Sequence, residues 1–179
     1  AALKLYQEND LVKQSEIDEI MGRITGCTTL KDVAKDADFV IESVAEDLEV
    51  KRKTWKEMED YVRPDVIFAT NTSGLSPTEI SSVLTHKDRF VVAHFWNPPY
   101  LIPLVEVVPG KWTSEAAVDT TWKLMEKIGK KPVALKKEAY GFVGNRLQLA
   151  LLREALYIVE SGFATQEAVD TAVKYSIGR

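Results

Sequence analysis

Short apolar runs alternate with segments of helical spacing over the first three quarters of the chain. Such runs, often rich in Val, Ile and Phe, are typical of strands in a sheet that helices cover. They occupy residues 37–44 (ADFVIESV), 66–70 (VIFAT), 89–95, 104–108 and 132–135. Helical spacing follows at residues 48–62 and 114–128, and Ser76-Pro77-Thr78-Glu79 has the N-cap Ser, the Pro and the Glu that begin a helix. The alternation predicts an α/β fold with a substantial parallel part.

The residues before the first strand predict helix. Ser15-Glu16-Ile17-Asp18 is typical of a capping box, in which a hydroxyl and an acidic side chain satisfy the first backbone amides. We therefore expect Ser15 to cap a short helix that runs to Arg23, and Gly26 to end that region.

The pattern changes after residue 138. Residues 142–161 are apolar on nearly every side, so the helix that they predict must be buried on several faces or against a partner. Gly162 ends that helix, and Thr165 is suited to cap another. Two helices are too few for an independent core. We therefore predict an α/β domain, residues 1–138, followed by the first helices of an all-α domain, residues 139–179, which further chain or another chain completes.

Composition excludes several classes of protein. The 179 residues are 45% hydrophobic and 28% charged, which argues against disorder. A formal charge of -4 provides no electrostatic footprint for nucleic acid, and no apolar run approaches the roughly 20 residues that span a bilayer. With Cys27 as the single cysteine and two histidines, neither an internal disulfide nor a Cys/His zinc site is expected. We expect a cytoplasmic protein that binds small molecules or proteins and no nucleic acid, membrane or metal.

Two strand residues have the side chains of an acid–base pair. His94 lies at the end of an apolar strand, where α/β sheets border ligand crevices, and it is suited to act as a base or as a structural imidazole. Glu106 is the centre of LVEVV, where a carboxylate either needs a buried partner or faces solvent on an edge strand. The connection between the two strands can bring their ends together. We therefore predict a hydrogen bond from Glu106 to His94 that fixes the imidazole tautomer.

Other polar residues lie where strands end or helices begin. Ser73, in ATNTSGLSP, suits either ligand binding or simple turn formation. Asn145, in GFVGNRL, needs a hydrogen-bond partner in the first turns of an apolar helix, and a ligand oxygen would serve. Glu46 and Lys51 follow the first strand and could reach the ribose or carboxamide of a nucleotide, or could be a helix N-terminal acid and a solvated lysine.

From residue types alone, two reaction classes stay open. Ser73, His94 and Glu106 could form a hydrolytic triad, although N-T-S-G-L is not the strained G-x-S-x-G elbow on which a nucleophilic serine is usually presented. Alternatively, His94 with Glu106 acts as a general base on a substrate hydroxyl while a hydride leaves the same carbon for a nicotinamide.

Four segments in this order resemble the L-3-hydroxyacyl-CoA dehydrogenase family: ADFVIESVAEDLEVK, ATNTSGLSPTEI, RFVVAHFWNPPYLIPLVEVV and YGFVGNRL. The resemblance extends from about Leu3 to Arg179. It implies a Rossmann-type NAD-binding domain, whose N-terminal part is missing from this chain, and the start of an all-α C-terminal domain that binds substrate and forms a homodimer. It also implies NAD as the cofactor and an L-3-hydroxyacyl-CoA of fatty-acid β-oxidation as the substrate.

The resemblance further implies a role for each candidate residue. In the catalytic set, His94 is the base and Glu106 is the carboxylate that orients it. Ser73 and Asn145 bind the substrate oxygen. The cofactor set, which contacts the nicotinamide, its ribose and its carboxamide, comprises Glu46, Lys51, Ser73 and Asn97.

The chain departs from the family in two ways. No G-x-G-x-x-G is present, although family members open with a strand and a glycine loop that holds the cofactor pyrophosphate. We therefore expect a piece of a longer protein that alone binds NAD poorly. NPPYLIPLVEVVP and GFVGNRLQ are also closer to the branch that acts on free acids such as L-gulonate or L-carnitine, whereas HFWNP resembles the acyl-CoA branch. A free 3-hydroxy acid is thus the alternative substrate. A non-enzymatic, crystallin-like protein is a further alternative, which the presence of His94 and Glu106 disfavours.

Overall fold

The computed structural model describes residues 2–178 and has the predicted α/β architecture. Its strands are Phe39–Glu42 (β1), Ile67–Thr70 (β2), Phe90–Phe95 (β3), Leu104–Pro109 (β4) and Lys131–Ala134 (β5). Its helices are Ala2–Glu8 (α1), Gln14–Gly22 (α2), Leu30–Ala34 (α3), Leu48–Glu59 (α4), Pro77–Ser81 (α5), Glu115–Lys127 (α6), Gly144–Glu160 (α7) and Gln166–Tyr175 (α8). A 3-10 turn, Lys87–Arg89, precedes β3.

The five strands form one sheet in chain order, β1-β2-β3-β4-β5. β1, β2 and β3 are parallel, β4 runs antiparallel to β3, and β5 is parallel to β4. The reversal follows from the short connection between β3 and β4, because a parallel crossover needs a dozen or more residues. As a result, the start of β4 lies beside the end of β3.

Helices cover both faces of the sheet. Trp55 and Met58 of α4 pack on one face with Phe68 and Phe90, and Met125 of α6 belongs to the cluster on the other face. Side chains alternate between the faces along each strand. The second cluster comprises Ala69, Val91, Ala93, Val105, Val107 and Met125.

Some predicted bounds are wrong. The strand predicted over residues 37–44 is limited to β1, and its Ile41 is exposed although the apolar run predicts coverage on both faces. Ser15 is not an N-cap, because α2 begins at Gln14 and its N-cap is Lys13. The carboxylate of Glu16 accepts a hydrogen bond from the Lys13 amide at 2.8 Å. The helix predicted over residues 48–62 ends at Glu59, and α3 was not predicted.

The chain forms two compact units, one ending at Glu138 and the other beginning at Ala139. In the second unit, α7 has no buried residue, so the burial that its sequence requires is not provided by the described part of the chain. Among the described residues, no helix combines the length and apolar character needed to cross a membrane. The exposed apolar side chains of α7 include Leu147, Leu149, Leu151, Leu152, Leu156 and Tyr157.

Candidate functional site

His94 and Glu106 face each other across the β3–β4 ladder. They are direct partners in the register, so both side chains lie on the same face of the sheet. His94 Nδ1 and Glu106 Oε2 are 2.9 Å apart, which confirms the predicted hydrogen bond. His94 is 6% exposed and Glu106 0%, so a solvent-facing Glu106 is excluded. Since a carboxylate only accepts hydrogen bonds, the proton belongs on Nδ1 and Nε2 is left as the basic nitrogen.

A third side chain joins this pair. The indole Nε1 of Trp96 donates a hydrogen bond to the same oxygen, Glu106 Oε2, at 3.1 Å. The Trp96 ring also lies beside the imidazole of His94, with the ring centroids 6.0 Å apart. Trp96 therefore contacts both members of the acid–base pair.

A buried carboxylate, Glu42, ends β1. Because it is the register partner of Thr70, it accepts a hydrogen bond from the Thr70 hydroxyl at 2.7 Å. Its carboxylate also accepts from Lys51 Nζ at 2.7 Å, from the Val44 amide at 2.7 Å and from Trp55 Nε1 at 3.2 Å. This cluster joins the carboxyl ends of two parallel strands to α4, and carboxyl ends of parallel strands are where α/β sheets bind ligands.

Glu46 connects the loop after β1 to the turn after β2. Its Oε1 accepts hydrogen bonds from the Thr72 hydroxyl at 2.5 Å and the Ser73 amide at 2.8 Å, and its Oε2 lies 3.3 Å from Lys51 Nζ. Burial raises the pKa of Glu46, but the hydrogen bonds from Thr72 and Ser73 and the charge of Lys51 outweigh it, so the pKa lies below its ordinary value. Glu46 is therefore an ionised acceptor, and its side chain is 45% exposed.

Lys51 is buried between two carboxylates. Its side chain is 1% exposed, so it is not a solvated lysine. Its ammonium lies between Glu42 and Glu46 and within 3.5 Å of the Val44 carbonyl. A direct contact of Lys51 with a cofactor stays a prediction, while the structure shows Lys51 holding Glu46.

Sequence reasoning missed Asn71, which links three strands. Its amide N–H donates to the Glu42 carbonyl at 2.8 Å, its Oδ1 accepts from the Phe95 amide at 2.8 Å, and its Nδ2 donates to Ser43 Oγ at 3.3 Å. Glu42 was missed too, although a carboxylate within an apolar strand is the same signal that identified Glu106. The roles of Asn71, Thr72 and Trp96 in the site had no such signal, since their residue types are common in turns and apolar segments.

The remaining predicted residues occupy the expected elements. Ser73 is exposed in the turn after β2, and Asn97 is exposed just after β3, so both follow the carboxyl ends of parallel strands. Asn145 lies in the first turn of α7, in the second unit. The catalytic and cofactor roles of all three stay predictions.

The polar groups of the first unit suit the nicotinamide half of a dinucleotide. Glu46 presents an ionised carboxylate, the acceptor that ribose hydroxyls need, at the end of β1. Asn97 presents an amide, which can pair with a carboxamide, at the end of β3. Within residues 2–178, no group of acidic, His and Cys side chains could hold a metal ion.

Two family models cover nearly the whole chain. The NAD binding domain of 3-hydroxyacyl-CoA dehydrogenase matches residues 1–139, and the C-terminal domain of the same family matches residues 141–179. The first model alone covers well over half of the chain, so NAD is the cofactor of the matched domain.

Relatives and solved structures agree with the family. The L-carnitine dehydrogenase of Oceanobacillus iheyensis is 41% identical over 87% of this chain and 50% of its own length. The lambda-crystallin homolog of Homo sapiens is 37% identical over 98% of this chain and 56% of its own length. The (S)-3-hydroxybutyryl-CoA dehydrogenase structure from Ralstonia eutropha matches with a TM-score of 0.91 and 31% identity, over 99% of this chain and 62% of that one. The chain thus spans about half the length of these curated relatives, and it belongs to the 3-hydroxyacyl-CoA dehydrogenase family.

Proposed function

We propose that the complete protein oxidises the hydroxyl of an L-3-hydroxy acid or acyl group to a 3-oxo group, with NAD as the oxidant. The observation that carries this proposal is the buried His94–Glu106 pair at the carboxyl end of β3, with its 2.9 Å hydrogen bond. A histidine oriented in this way is suited to remove the hydroxyl proton.

The chain's residues handle the proton. His94 Nε2 accepts the hydroxyl proton as the C–O bond becomes a carbonyl, and Glu106, bonded to Nδ1, stabilises the imidazolium that forms. Bound NAD supplies the acceptor for the hydride that leaves the same carbon. One proton and one hydride leave the alcohol, so the reaction balances without a metal, water or further oxidant.

The loops after β1, β2 and β3 would hold the cofactor. Glu46 would accept hydrogen bonds from the nicotinamide ribose, while Lys51 keeps that carboxylate in place and ionised. Asn97 would pair with the carboxamide, and Ser73 would donate to the substrate oxygen.

A free 3-hydroxy acid is the substrate class that the comparisons favour. Curated relatives at 41% identity are L-carnitine dehydrogenases, whereas the 3-hydroxybutyryl-CoA dehydrogenase structure is 31% identical. The acyl-CoA thioester is the second candidate, because that structure matches 99% of the chain with a TM-score of 0.91.

The test is NADH formation by the complete protein on L-carnitine, L-gulonate and L-3-hydroxybutyryl-CoA under identical conditions. Oxidation of either class supports the proposal and selects the substrate, and release of free CoA without NAD supports the hydrolase alternative instead. No turnover of any of them contradicts the proposal and favours a non-enzymatic protein.

The two histidines provide a matched pair of variants. His94→Ala removes the base and should lower kcat by about 100-fold or more. His86→Ala removes an exposed imidazole beside the 3-10 turn and should leave kcat unchanged. Near-normal turnover by His94→Ala would discard His94 as the base.

A further inference from the structure

We propose that Trp96 is a positioning residue of this site: its indole N–H holds the Glu106 carboxylate in the orientation that fixes His94. The kinetic part of this inference rests on the proposed function, whereas its structural part does not. The sequence assigned Trp96 no part in the acid–base pair.

The geometry joins three side chains at one oxygen atom. Glu106 Oε2 accepts from His94 Nδ1 at 2.9 Å and from Trp96 Nε1 at 3.1 Å. Both donors come from one short stretch, because His94 lies in β3 and Trp96 is the first residue after that strand. Glu106 comes from the facing strand β4, so Trp96 attaches that carboxylate to the segment that carries the base.

The second donor restricts how Glu106 can move. A glutamate carboxylate has a broad terminal torsion, so each hydrogen bond that the Glu106 carboxylate accepts narrows the orientations that it can adopt. The rigid indole of Trp96 on the same oxygen narrows them further, since rotation would break a hydrogen bond to a side chain that is 0% exposed. The Trp96 ring beside the imidazole, with centroids 6.0 Å apart, also limits tilting of His94.

A spectroscopic test needs no substrate. With only two histidines in the sequence, ¹⁵N imidazole labelling combined with His86→Ala assigns the His94 signals. We expect a downfield Nδ1–H proton signal from His94 that is protected from exchange, and we expect Trp96→Phe to broaden it or to speed its exchange at least about fivefold. Trp112→Phe is the control, because Trp112 lies beyond the other end of β4. An unchanged His94 signal in Trp96→Phe would overturn the proposal.

A kinetic test asks whether Trp96 acts through Glu106. Trp96→Phe keeps an aromatic ring but removes the N–H, and it should lower kcat about 10-fold with the KM for NAD unchanged. In a Glu106→Gln background the same change should cost less than about twofold, because the carboxylate that it positions is gone. If the fold losses of kcat in Trp96→Phe and Glu106→Gln multiply in the double variant, Trp96 has a role independent of Glu106 and the proposal is overturned.

The two tests separate the two hypotheses. A complete protein that turns over no 3-hydroxy substrate contradicts the proposed function, and the His94 signal then decides the role of Trp96 alone. Normal turnover in Trp96→Phe, with an unchanged His94 signal, rejects Trp96 and leaves the proposed function intact.

Discussion

Replacement of Glu42 by Gln should strongly destabilise the α/β domain. Glu42 accepts four hydrogen bonds, and one of them comes from Lys51, whose side chain is 1% exposed. A Gln side chain has one acceptor oxygen and one NH2 group. Its NH2 group must therefore face either the Lys51 ammonium or the Thr70 and Trp55 donors, and these groups also donate. Lys51 would then retain Glu46, at 3.3 Å, as its charged partner.

The magnitude follows from the burial of the pair. Removing one partner of a buried ion pair costs about 3–5 kcal/mol. Because Glu46 still compensates part of the Lys51 charge, we expect the lower end, about 3 kcal/mol. That is a large fraction of the roughly 5–15 kcal/mol by which a domain is stable.

Urea unfolding, followed by far-UV circular dichroism, measures this loss. Glu49→Gln is the matched control, since Glu49 bonds Arg52 at 2.8 Å but its side chain is 78% exposed, and it should cost less than about 1 kcal/mol. Adding Lys51→Met to Glu42→Gln removes the poorly compensated cation, so the double variant should lose less than the sum of the two single variants. A loss below about 1 kcal/mol in Glu42→Gln, or strict additivity in the double variant, would refute the reasoning.

Three further predictions concern the acid stability, the turn and the oligomer. Burial raises the pKa of Glu59, but hydrogen bonds from the His86 and Thr85 amides and the charge of Arg89 outweigh it and hold the pKa below its ordinary value. The stability that the ionised form contributes is therefore present above that ordinary value and is lost as pH falls through the folded pKa. Glu59→Gln should therefore be less stable than the wild type at pH 7 by about 1–3 kcal/mol, with the gap closing in acid unfolding; a constant gap would contradict it. Thr72→Val, which removes the 2.5 Å hydrogen bond to Glu46, should raise the KM for NAD several-fold with little change in kcat, and a change confined to kcat would contradict this role. If the exposed leucines of α7 form the homodimer interface, Leu152→Glu should convert a sedimenting dimer of the complete protein to monomer, and an unchanged sedimentation coefficient would exclude that face.

The parts of the fold that depend on local pattern were predictable from the sequence. Ser76 and Thr165 cap α5 and α8 as the sequence predicts, because capping depends on neighbouring residues only. The start of α2 shows where the capping pattern fails. The pattern favours Ser15 as the N-cap, but the Glu16 carboxylate accepts a hydrogen bond from the Lys13 amide, and the helix begins before Ser15.

The site was predictable where a polar group in an apolar strand required a partner. That argument found Glu106 and its bond to His94 because two strands joined by a short connection have few ways to pair. It did not find the Lys51–Glu42 bond, since partners from different elements depend on how α4 packs on the sheet. The hydrogen bond from Trp96 to Glu106 was missed for a related reason: the direction of the Trp96 N–H is decided by the rotamer in the folded loop.

His94 and Glu106 are register partners in the β3–β4 ladder, so their relative position does not depend on the connection between the two strands. Backbone hydrogen bonds, and not the course of the connection, set the spacing of the two side chains. Residues after Asn97 in that connection can therefore be exchanged, lengthened or shortened without moving the pair, whereas a single deletion inside β4 would turn Glu106 to the opposite face. An enzyme built in this way can diversify the loop beside its substrate during evolution while its proton chemistry stays constant.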